Sequence, residues 1–233
     1  MTDSPTWECE ATLWAGGARL VAGCDEAGRG PLAGPVVAAA VLLPPQTLLP
    51  GLTDSKLLDA PTRDRLFDAV HDVALAVGVG LCEADEIDRL NILRASLLAM
   101  RRAVEALTPA PDGLLVDGRQ TVPGLRLAQQ ALVKGDRRSV SVAAASIVAK
   151  VSRDRLMVAH DARWPGYGFA GHKGYPAPSH LAALRALGPC PLHRRSYGPV
   201  RALLADPPPL PPARSRGASV AQLALFGDDD ERA

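Results

Sequence analysis

The sequence predicts an α/β fold built on a mixed sheet of about five strands flanked by helices. Three short apolar runs come first along the chain and two alternating strand–helix units follow them, an order typical of such a sheet. The chain has 233 residues, of which 47% are hydrophobic and 22% are charged. That balance is ordinary for globular proteins, and the length suits one well-buried domain rather than two.

The first three strands are predicted from apolar segments bounded by turn residues. These segments are Arg19–Cys24, Pro35–Leu43 and Asp72–Cys82. Because glycines separate the first segment from the second, we expect strands that follow one another in the sequence to pair as hairpins. A helical pattern that begins at Thr62 overlaps the start of the third segment, so the first residue of that strand is left open.

The remaining elements alternate between helix and strand. Asn91–Leu107 has apolar residues at helical spacing and contains neither Gly nor Pro, and Ser139–Arg163 also lacks both residues. We predict helices over these segments and over Pro178–Leu187. Two further apolar runs, Gly113–Val116 and Leu127–Val133, are predicted to be the fourth and fifth strands.

Composition divides the chain into three parts. Residues 1–18 are predicted to be an N-terminal extension, and residues 19–205 to form the folded, C-terminally helical domain. The prolines that follow Asp206 predict a stiff linker, so residues 206–233 are assigned to a Pro-rich linker and a disordered tail. No apolar run reaches the roughly 20 residues that a bilayer span requires, and the N-terminus lacks a signal-peptide pattern.

The cysteines predict the cellular compartment. They are isolated in the sequence and form no CxxC pair, so neither a disulfide framework nor a cysteine metal site is indicated. They are Cys9, Cys24, Cys82 and Cys190. We therefore expect a reducing, cytoplasmic compartment. Separately, we expect the protein to be a monomer.

The net charge of +1 conceals an asymmetry along the chain. Between Lys134 and Arg201 there are 12 Lys and Arg residues against three acids, whereas residues 1–133 hold 11 against 17. A basic block beside an acidic one suits a polyanion on one surface and metal-binding carboxylates on another. An ordinary mixed surface is the alternative, and charge counting alone favours it.

Acidic residues follow three of the predicted strands. Asp25 and Glu26 come after the first, Asp117 after the fourth, and Asp136 closely after the fifth. Ligands bind at the carboxyl edge of open α/β sheets, and a cluster of carboxylates there favours Mg²⁺ or Mn²⁺. The alternative for each acid is a solvated strand end.

Adjacent side chains on a strand point to opposite faces, so Asp25 and Glu26 can share one site only if the chain bends soon afterwards. Gly28-Arg29-Gly30 supplies such a bend. With Gly34 the spacing is GxGxxxG rather than GxGxxG, and Pro31 lacks the N–H that a phosphate needs. A dinucleotide-binding loop is therefore rejected.

Several segments together resemble the ribonuclease HII family over roughly residues 19–204. The resemblance is carried by Asp25–Val36 (DEAGRGPLAGPV), Asp54–Lys56 (DSK), Asn91–Leu93 (NIL), Asp117-Gly118, Val133–Asp136 (VKGD), Ala144–Asp154 (AASIVAKVSRD), His172–Pro176 (HKGYP) and His193–Tyr197 (HRRSY). It implies a ribonuclease H-like sheet with a C-terminal helical portion. It also implies cleavage on the 5′ side of ribonucleotides in RNA–DNA hybrids and in duplex DNA, leaving a 3′-hydroxyl and a 5′-phosphate.

The resemblance also assigns roles to residues. It makes Asp25, Glu26, Asp117 and Asp136 the catalytic ligands of two Mg²⁺ or Mn²⁺ ions. Asp154 is a rival for the fourth ligand, but it follows Lys150 by four residues on a predicted helix, where an ion pair is the ordinary explanation.

Substrate selection is assigned to the glycine-flanked turn and to Tyr175. The backbone of Gly28, Arg29 and Gly30 is expected to sense the 2′-hydroxyl, and Tyr175 to pack on the sugar of the next, deoxy, nucleotide. An ordinary half-buried aromatic is the alternative for Tyr175. The expected phosphate contacts, each weak by itself, are Arg29, Ser55, Lys56, Lys134 and Lys150.

Cys190 and His193 have a CxxH spacing, with His172 and His180 upstream. A zinc site is not expected there, because a second closely spaced pair of ligands is missing and Pro191 lies between the first two.

An apolar peptide stands alone in the tail. Gln222, Leu223, Leu225 and Phe226 resemble the short motif by which bacterial repair proteins dock on the polymerase's β sliding clamp. A segment that packs loosely on its own domain is the alternative. For the whole chain, another metal nuclease of the same fold, such as a ribonuclease HIII or a junction resolvase, and a non-catalytic nucleic-acid-binding module remain open.

Overall fold

The computed structural model describes residues 4–205. Its centre is a five-stranded sheet in the order β3-β2-β1-β4-β5. The strands are β1 (Val21–Ala27), β2 (Val36–Leu42), β3 (Ala76–Cys82), β4 (Gly113–Asp117) and β5 (Ala128–Leu132). The first three pair antiparallel, and β4 and β5 run parallel to β1. The predicted mixed sheet and the consecutive antiparallel pairing of its first three strands are confirmed, but β2 and β3 do not form a hairpin, because a helix (Ala60–Val73) lies between them.

Two strand predictions need correction. The third strand begins at Ala76 rather than Asp72, because the preceding helix continues to Val73 before the chain becomes extended at Ala74. The fifth strand is the sheet edge, so it is only partly buried and Val133, predicted as its last residue, lies outside it and half exposed.

Eight helices occur in the described residues. They are α1 (Glu8–Ala15), α2 (Ala60–Val73), α3 (Ala84–Leu90), α4 (Ile92–Glu105), α5 (Val140–Arg163), α6 (Phe169–His172), α7 (Pro178–Leu187) and α8 (Gly198–Ala205). The predictions of α4, α5 and α7 are confirmed. Asn91 and Ser139 cap α4 and α5, since each side chain accepts a hydrogen bond from a backbone N–H of the first turn.

One helix covers each face of the sheet. On one face α4 buries alternate residues of β1 and β2, and on the other face α5 buries the residues between them. Gly23 makes the second contact close, because a Cβ there would lie 2.1 Å from the backbone of Ser141. The start of α5 therefore lies directly against β1, two residues before Asp25.

Residues before the predicted domain boundary pack against the sheet. Helix α1 lies on β1 and β4, and the rings of Trp7 and Trp14 stack 5.8 Å apart. The buried Glu10 carboxylate accepts hydrogen bonds from Ser139 Oγ at 2.6 Å and from the Ser141 N–H at 2.9 Å. An anion placed at the N-terminus of α5 stabilises that helix.

The predicted linker and tail, residues 206–233 with Gln222, Leu223, Leu225 and Phe226, lie outside the described residues. Within residues 4–205, none of the helices has both the length and the hydropathy that crossing a bilayer demands.

Candidate active site

Asp25 and Glu26 lie on β1 itself, since that strand continues to Ala27 rather than ending before the acids. Their side chains face opposite ways, as expected for neighbours on a strand, and the predicted bend at Gly28-Arg29-Gly30 follows both residues and does not turn them to one face. Asp25 is buried on the α5 side, where the hydroxyl of Ser146 donates to it. Glu26 lines a cleft of about 360 Å³ on the α4 side, together with Asp117.

Asp117 connects the two faces. It is the last residue of β4, and the register that pairs Cys24 with Val116 brings it next to Asp25. Its Oδ1 accepts a hydrogen bond of 2.7 Å from the Gly135 N–H, which fixes the carboxylate toward the chain after β5. The sheet-edge argument therefore placed Asp117 correctly.

Asp136 enters the cluster from the turn after β5. It lies buried in a 3-10 turn, Gly135–Arg137, which Lys134 begins with a positive φ of 57°. Burial raises the pKa of Asp136, and the neighbouring charges of Asp54 and Asp117 raise it further. Asp136 is thus close enough to Asp117 for their charges to repel.

The four carboxylates, here called the acidic cluster, repel one another. They belong to Asp25, Glu26, Asp117 and Asp136. Burial raises the pKa of Asp25 well above its ordinary value, and the charges of Glu26 and Asp117 add to that effect. Burial also raises the pKa of Glu26, although Arg29 pairs with it at 3.1 Å. Buried carboxylates that repel one another are stabilised when a cation lies between them.

These acids fit a hard divalent cation by the chemistry of their donors, because all four offer only carboxylate oxygens. Within the described part of the chain, however, no group of three or more His, Cys, Asp or Glu side chains is arranged to hold an ion. The protein side chains alone do not form a closed metal site, and the remaining ligands would come from substrate phosphate and water.

Lys56 lies close enough to the same acids to be attracted by their charges. Burial disfavours its charged form, but attraction by Asp25, Asp54, Asp136 and Asp117 outweighs that effect and raises the pKa of Lys56. The ammonium group is therefore held positive beside the carboxylates. This placement supports the choice of Lys56 as a candidate phosphate contact.

Asp54 was not chosen from the sequence, although it begins the Asp-Ser-Lys segment. Its Oδ1 accepts from the Lys56 N–H at 3.0 Å, and its Oδ2 accepts from Arg137 Nη2 at 2.9 Å. Asp54 therefore ties the segment of Lys56 to the turn that carries Asp136. The only signal in the sequence was its place in the resembling segment.

Ser55 was expected at the surface as a phosphate contact, but its side chain is buried. Its Oγ lies 3.0 Å from Ser146 Oγ. Because Ser146 donates to Asp25, Ser55 donates to Ser146, and the two hydroxyls orient the carboxylate. Ser146 was missed, since nothing in an Ala-rich helix distinguishes it before Asp25 is placed opposite.

Asp154 and Lys150 lie elsewhere. Lys150 Nζ is 2.6 Å from Asp154 Oδ1, the helical pair expected from their spacing. Both line an open cleft of about 600 Å³ that also includes Arg63, Arg155 and Tyr175. The charge of Asp117 raises the pKa of Asp136, whereas Asp154 is paired with Lys150.

The glycine-flanked turn lies between the acids and Tyr175. Gly28 has a positive φ of 96°, and a Cβ there would lie 2.0 Å from Arg153 Nε, so only glycine fits. A Cβ at Gly30 would be 3.6 Å from the Tyr175 ring, which is 42% exposed. The turn, an exposed aromatic ring and Glu26 therefore form one continuous surface.

Lys134 is exposed as well, and it lines a third cleft together with Arg138. The positive side chains predicted as phosphate contacts thus lie in different places: Arg29 beside Glu26, Lys56 near the acids, and Lys150 in the cleft that Tyr175 also lines.

Comparison with known proteins identifies the family of the chain. The family model for ribonuclease HII matches residues 22–200. A ribonuclease HII from Geobacter sulfurreducens is 58% identical over 200 residues, which cover 86% of this chain and 92% of the relative.

Solved structures share the fold. A ribonuclease H2 from Pyrococcus horikoshii OT3 superposes with a TM-score of 0.68 at 27% identity, covering 79% of this chain and 97% of that one. A structure from Archaeoglobus fulgidus, described as a complex of PCNA with ribonuclease HII, matches with a TM-score of 0.61 at 25% identity and covers 77% and 96%. The chain therefore belongs to the ribonuclease HII family, and it is a ribonuclease H.

Proposed function

We propose that this ribonuclease H cuts on the 5′ side of ribonucleotides, both in RNA–DNA hybrids and at single ribonucleotides within duplex DNA, and leaves a 3′-hydroxyl and a 5′-phosphate. One observation carries the proposal. The Gly28–Gly30 turn, which is buried at Gly28 and exposed at Arg29 and Gly30, lies between Glu26 of the acidic cluster and the exposed ring of Tyr175. A nucleotide on this surface meets backbone donors, an aromatic ring and carboxylates together.

Enzymes of this family depend on divalent metal ions. In the proposal, Asp25, Glu26, Asp117 and Asp136 hold two Mg²⁺ or Mn²⁺ ions together with the substrate. When bound, such ions lower the pKa of an attacking water and stabilise the charge of the leaving 3′ oxygen. The raised pKa values of Asp25, Glu26 and Asp136 support this assignment, because they show carboxylates in need of a counter-charge.

The surrounding residues keep the carboxylates in place. Ser146 and the Gly135 N–H fix Asp25 and Asp117 by hydrogen bonds, so neither side chain has to reorganise when substrate arrives. Lys56 brings a positive charge to the same edge, where it neutralises substrate phosphate. Arg29, Lys134 and Lys150 extend the phosphate contacts on the flanking surfaces, and Ser55 acts through Ser146 rather than on the phosphate.

Selectivity for a ribonucleotide requires contact with one 2′-hydroxyl. That contact is assigned to the backbone of Gly28, Arg29 and Gly30. A substrate can approach the exposed Gly30 closely because glycine carries no Cβ, whereas the missing Cβ of Gly28 leaves room for Arg153. Tyr175 then packs on the sugar of the following deoxynucleotide. A 2′-hydroxyl on that following nucleotide would crowd the ring. The Gly28–Gly30 backbone and Tyr175 therefore together select a junction from RNA to DNA.

We also propose that the tail docks on a sliding clamp through Gln222, Leu223, Leu225 and Phe226. The Archaeoglobus relative is described in complex with PCNA, which makes association with a clamp a property of that protein. The tail peptide is the segment of this chain whose composition suits such docking. The four free and buried cysteines agree with the proposed reducing, cytoplasmic compartment.

The decisive experiment compares cleavage of three duplexes: one with a single ribonucleotide, one with a continuous RNA strand, and one of DNA alone. We expect cleavage of the first two in Mg²⁺ or Mn²⁺, none of the third, and none in EDTA. Cleavage of the continuous hybrid alone would indicate a specificity like that of ribonuclease HIII instead. Binding without cleavage of any duplex would indicate a nucleic-acid-binding module.

A further inference from the structure

We propose that Arg194 and Tyr197 are positioning residues that turn two backbone donors of the Gly28–Gly30 turn toward the substrate and strengthen them. The inference rests on the proposed function, because it explains how the same turn distinguishes a ribonucleotide from a deoxynucleotide. Neither residue was selected from the sequence as part of a site, although both lie in the His193–Tyr197 segment of the family resemblance.

Arg194 holds the inner side of the turn. Its side chain is completely buried. Nη2 donates to the Gly28 carbonyl at 2.6 Å, and Nη1 donates to the Arg29 carbonyl at 3.1 Å. The Tyr197 hydroxyl donates to the same Arg29 carbonyl at 2.6 Å and accepts from Arg194 Nη1 at 3.0 Å. Both carbonyls of the turn therefore point into the protein.

The direction of these carbonyls determines the direction of two N–H groups. In a trans peptide the C=O and the N–H point to opposite sides, and the only cis peptide in the described residues precedes Pro109. The N–H groups of Arg29 and Gly30 therefore point outward. Both residues are exposed, and within residues 4–205 neither N–H donates to a protein acceptor. They are free to donate to a ligand.

The charge of Arg194 strengthens these donors. No carboxylate pairs with its guanidinium among the described residues, although a buried charge without a counter-ion is costly. Its positive charge is instead spread over carbonyl oxygens, including that of Gly34 at 2.8 Å. A carbonyl that accepts from a cation polarises its own peptide unit, so the N–H on the other end becomes a better donor.

Arg153 shows that burial of an arginine here does not by itself produce this effect. It is also buried, and its guanidinium donates to the carbonyls of Pro35, Ala33 and Lys173. Those peptides follow the turn or belong to the segment of Tyr175. Among residues 4–205, the side chains that hold the two peptides with outward-facing N–H groups are those of Arg194 and Tyr197.

The test uses Tyr197→Phe, which removes the hydroxyl and keeps the ring. Tyr167→Phe is the matched control, because the Tyr167 hydroxyl also donates to a carbonyl, that of Gly188 at 2.7 Å, away from the turn. Binding to a duplex with one ribonucleotide and to the same duplex in DNA alone is measured by fluorescence anisotropy in EDTA. The two duplexes carry the same phosphates, so the ratio of the two dissociation constants isolates the 2′-hydroxyl.

We expect the preference for the ribonucleotide to fall roughly fivefold in Tyr197→Phe, as for one weakened hydrogen bond. Tyr197→Phe should bind the all-DNA duplex with the affinity of the wild type. Tyr167→Phe should keep the wild-type preference for the ribonucleotide. An unchanged preference in Tyr197→Phe, or an equal loss of affinity for both duplexes, would overturn the inference. A wild-type protein without any preference would instead contradict the proposed function.

Discussion

His180 and His193 face each other through their Nε2 atoms, which lie 3.1 Å apart with both rings buried. The Cys190 N–H donates to His193 Nδ1 at 3.0 Å, so the proton of the neutral His193 ring is on Nε2. That proton is donated to His180, whose own proton is therefore on Nδ1 and reaches the Tyr175 carbonyl at 2.8 Å. Two neutral histidines thus hold the backbone of Tyr175.

This arrangement predicts acid sensitivity. Burial lowers the pKa of His193 to about 4, and the neighbouring His180 and His172 contribute to the shift. The rings of Tyr167 and Phe169 and the Cys190 thiol also face it, and none of them supplies a negative counter-charge at neutral pH. Since an unfolded histidine titrates near pH 6.5, the unfolded state binds the extra proton first, and stability is lost as the pH falls from about 6.5 to 4.

The expected loss is on the order of 3 kcal/mol over that range. Urea unfolding at pH 7 and pH 4.5 measures it, and His193→Asn should reduce the difference between the two free energies of unfolding. His71→Asn is the control, because His71 is an exposed residue of α2. The same pH dependence in all three proteins would contradict the role of His193.

A second prediction concerns Glu10. Glu10→Ala removes the acceptor for Ser139 Oγ and the Ser141 N–H, and it leaves both donors buried without that partner. We expect a loss of about 1–3 kcal/mol in the free energy of unfolding. Glu8→Ala, at an exposed position of the same helix, should change it by less than about 0.5 kcal/mol. Equal effects of the two substitutions would show that Glu10 contributes only through its helix.

The contrast between Glu10 and Asp117 shows what the sequence could predict. Asp117 follows an apolar run, and the geometry of parallel strands places such a residue at the ligand-binding edge. Glu10 contacts a residue 129 positions away, and no local pattern encodes that pairing. For the same reason Ser146 and Arg194 were missed, because their partners are defined only when the sheet and α5 are assembled.

A third prediction distinguishes Asp136 from Asp154. Asp136→Asn should lower cleavage in Mg²⁺ by at least about a hundredfold, since even residues that only support metal ligands cost 10- to 100-fold when replaced. Substrate binding should be largely retained. Asp154→Asn breaks only the pair with Lys150 and should leave most of the activity. The cleavage rate constants of the two variants are measured at saturating Mg²⁺. Near-normal turnover of Asp136→Asn would remove that residue from the site.

The fourth prediction concerns the tail. A protein truncated after residue 219 lacks Gln222, Leu223, Leu225 and Phe226 and should lose binding to the sliding clamp, because an apolar peptide on an extended linker is the proposed contact. Cleavage of short oligonucleotide duplexes should be unaffected. Surface plasmon resonance with immobilised clamp measures the first property. Undiminished binding by the truncated protein would place the contact elsewhere.

The last prediction separates the ring of Tyr175 from its hydroxyl. The ring lies against Gly30, with the guanidinium of Arg153 5.9 Å from its centroid, and no hydrogen bond of its hydroxyl occurs among the described residues. If the ring supports the sugar at the RNA-to-DNA junction, Tyr175→Phe should cleave a single-ribonucleotide duplex almost as well as the wild type.

Tyr175→Ala should cleave that duplex roughly tenfold or more slowly, because aromatic contacts to nucleic acid contribute about 1–3 kcal/mol each. Its cleavage of a continuous RNA–DNA hybrid should fall much less, since no deoxynucleotide follows most of the scissile positions there. The ratio of kcat/KM on the two substrates is the measured quantity. An equal loss on both would mean that Tyr175 supports the fold of the turn rather than the choice of the junction.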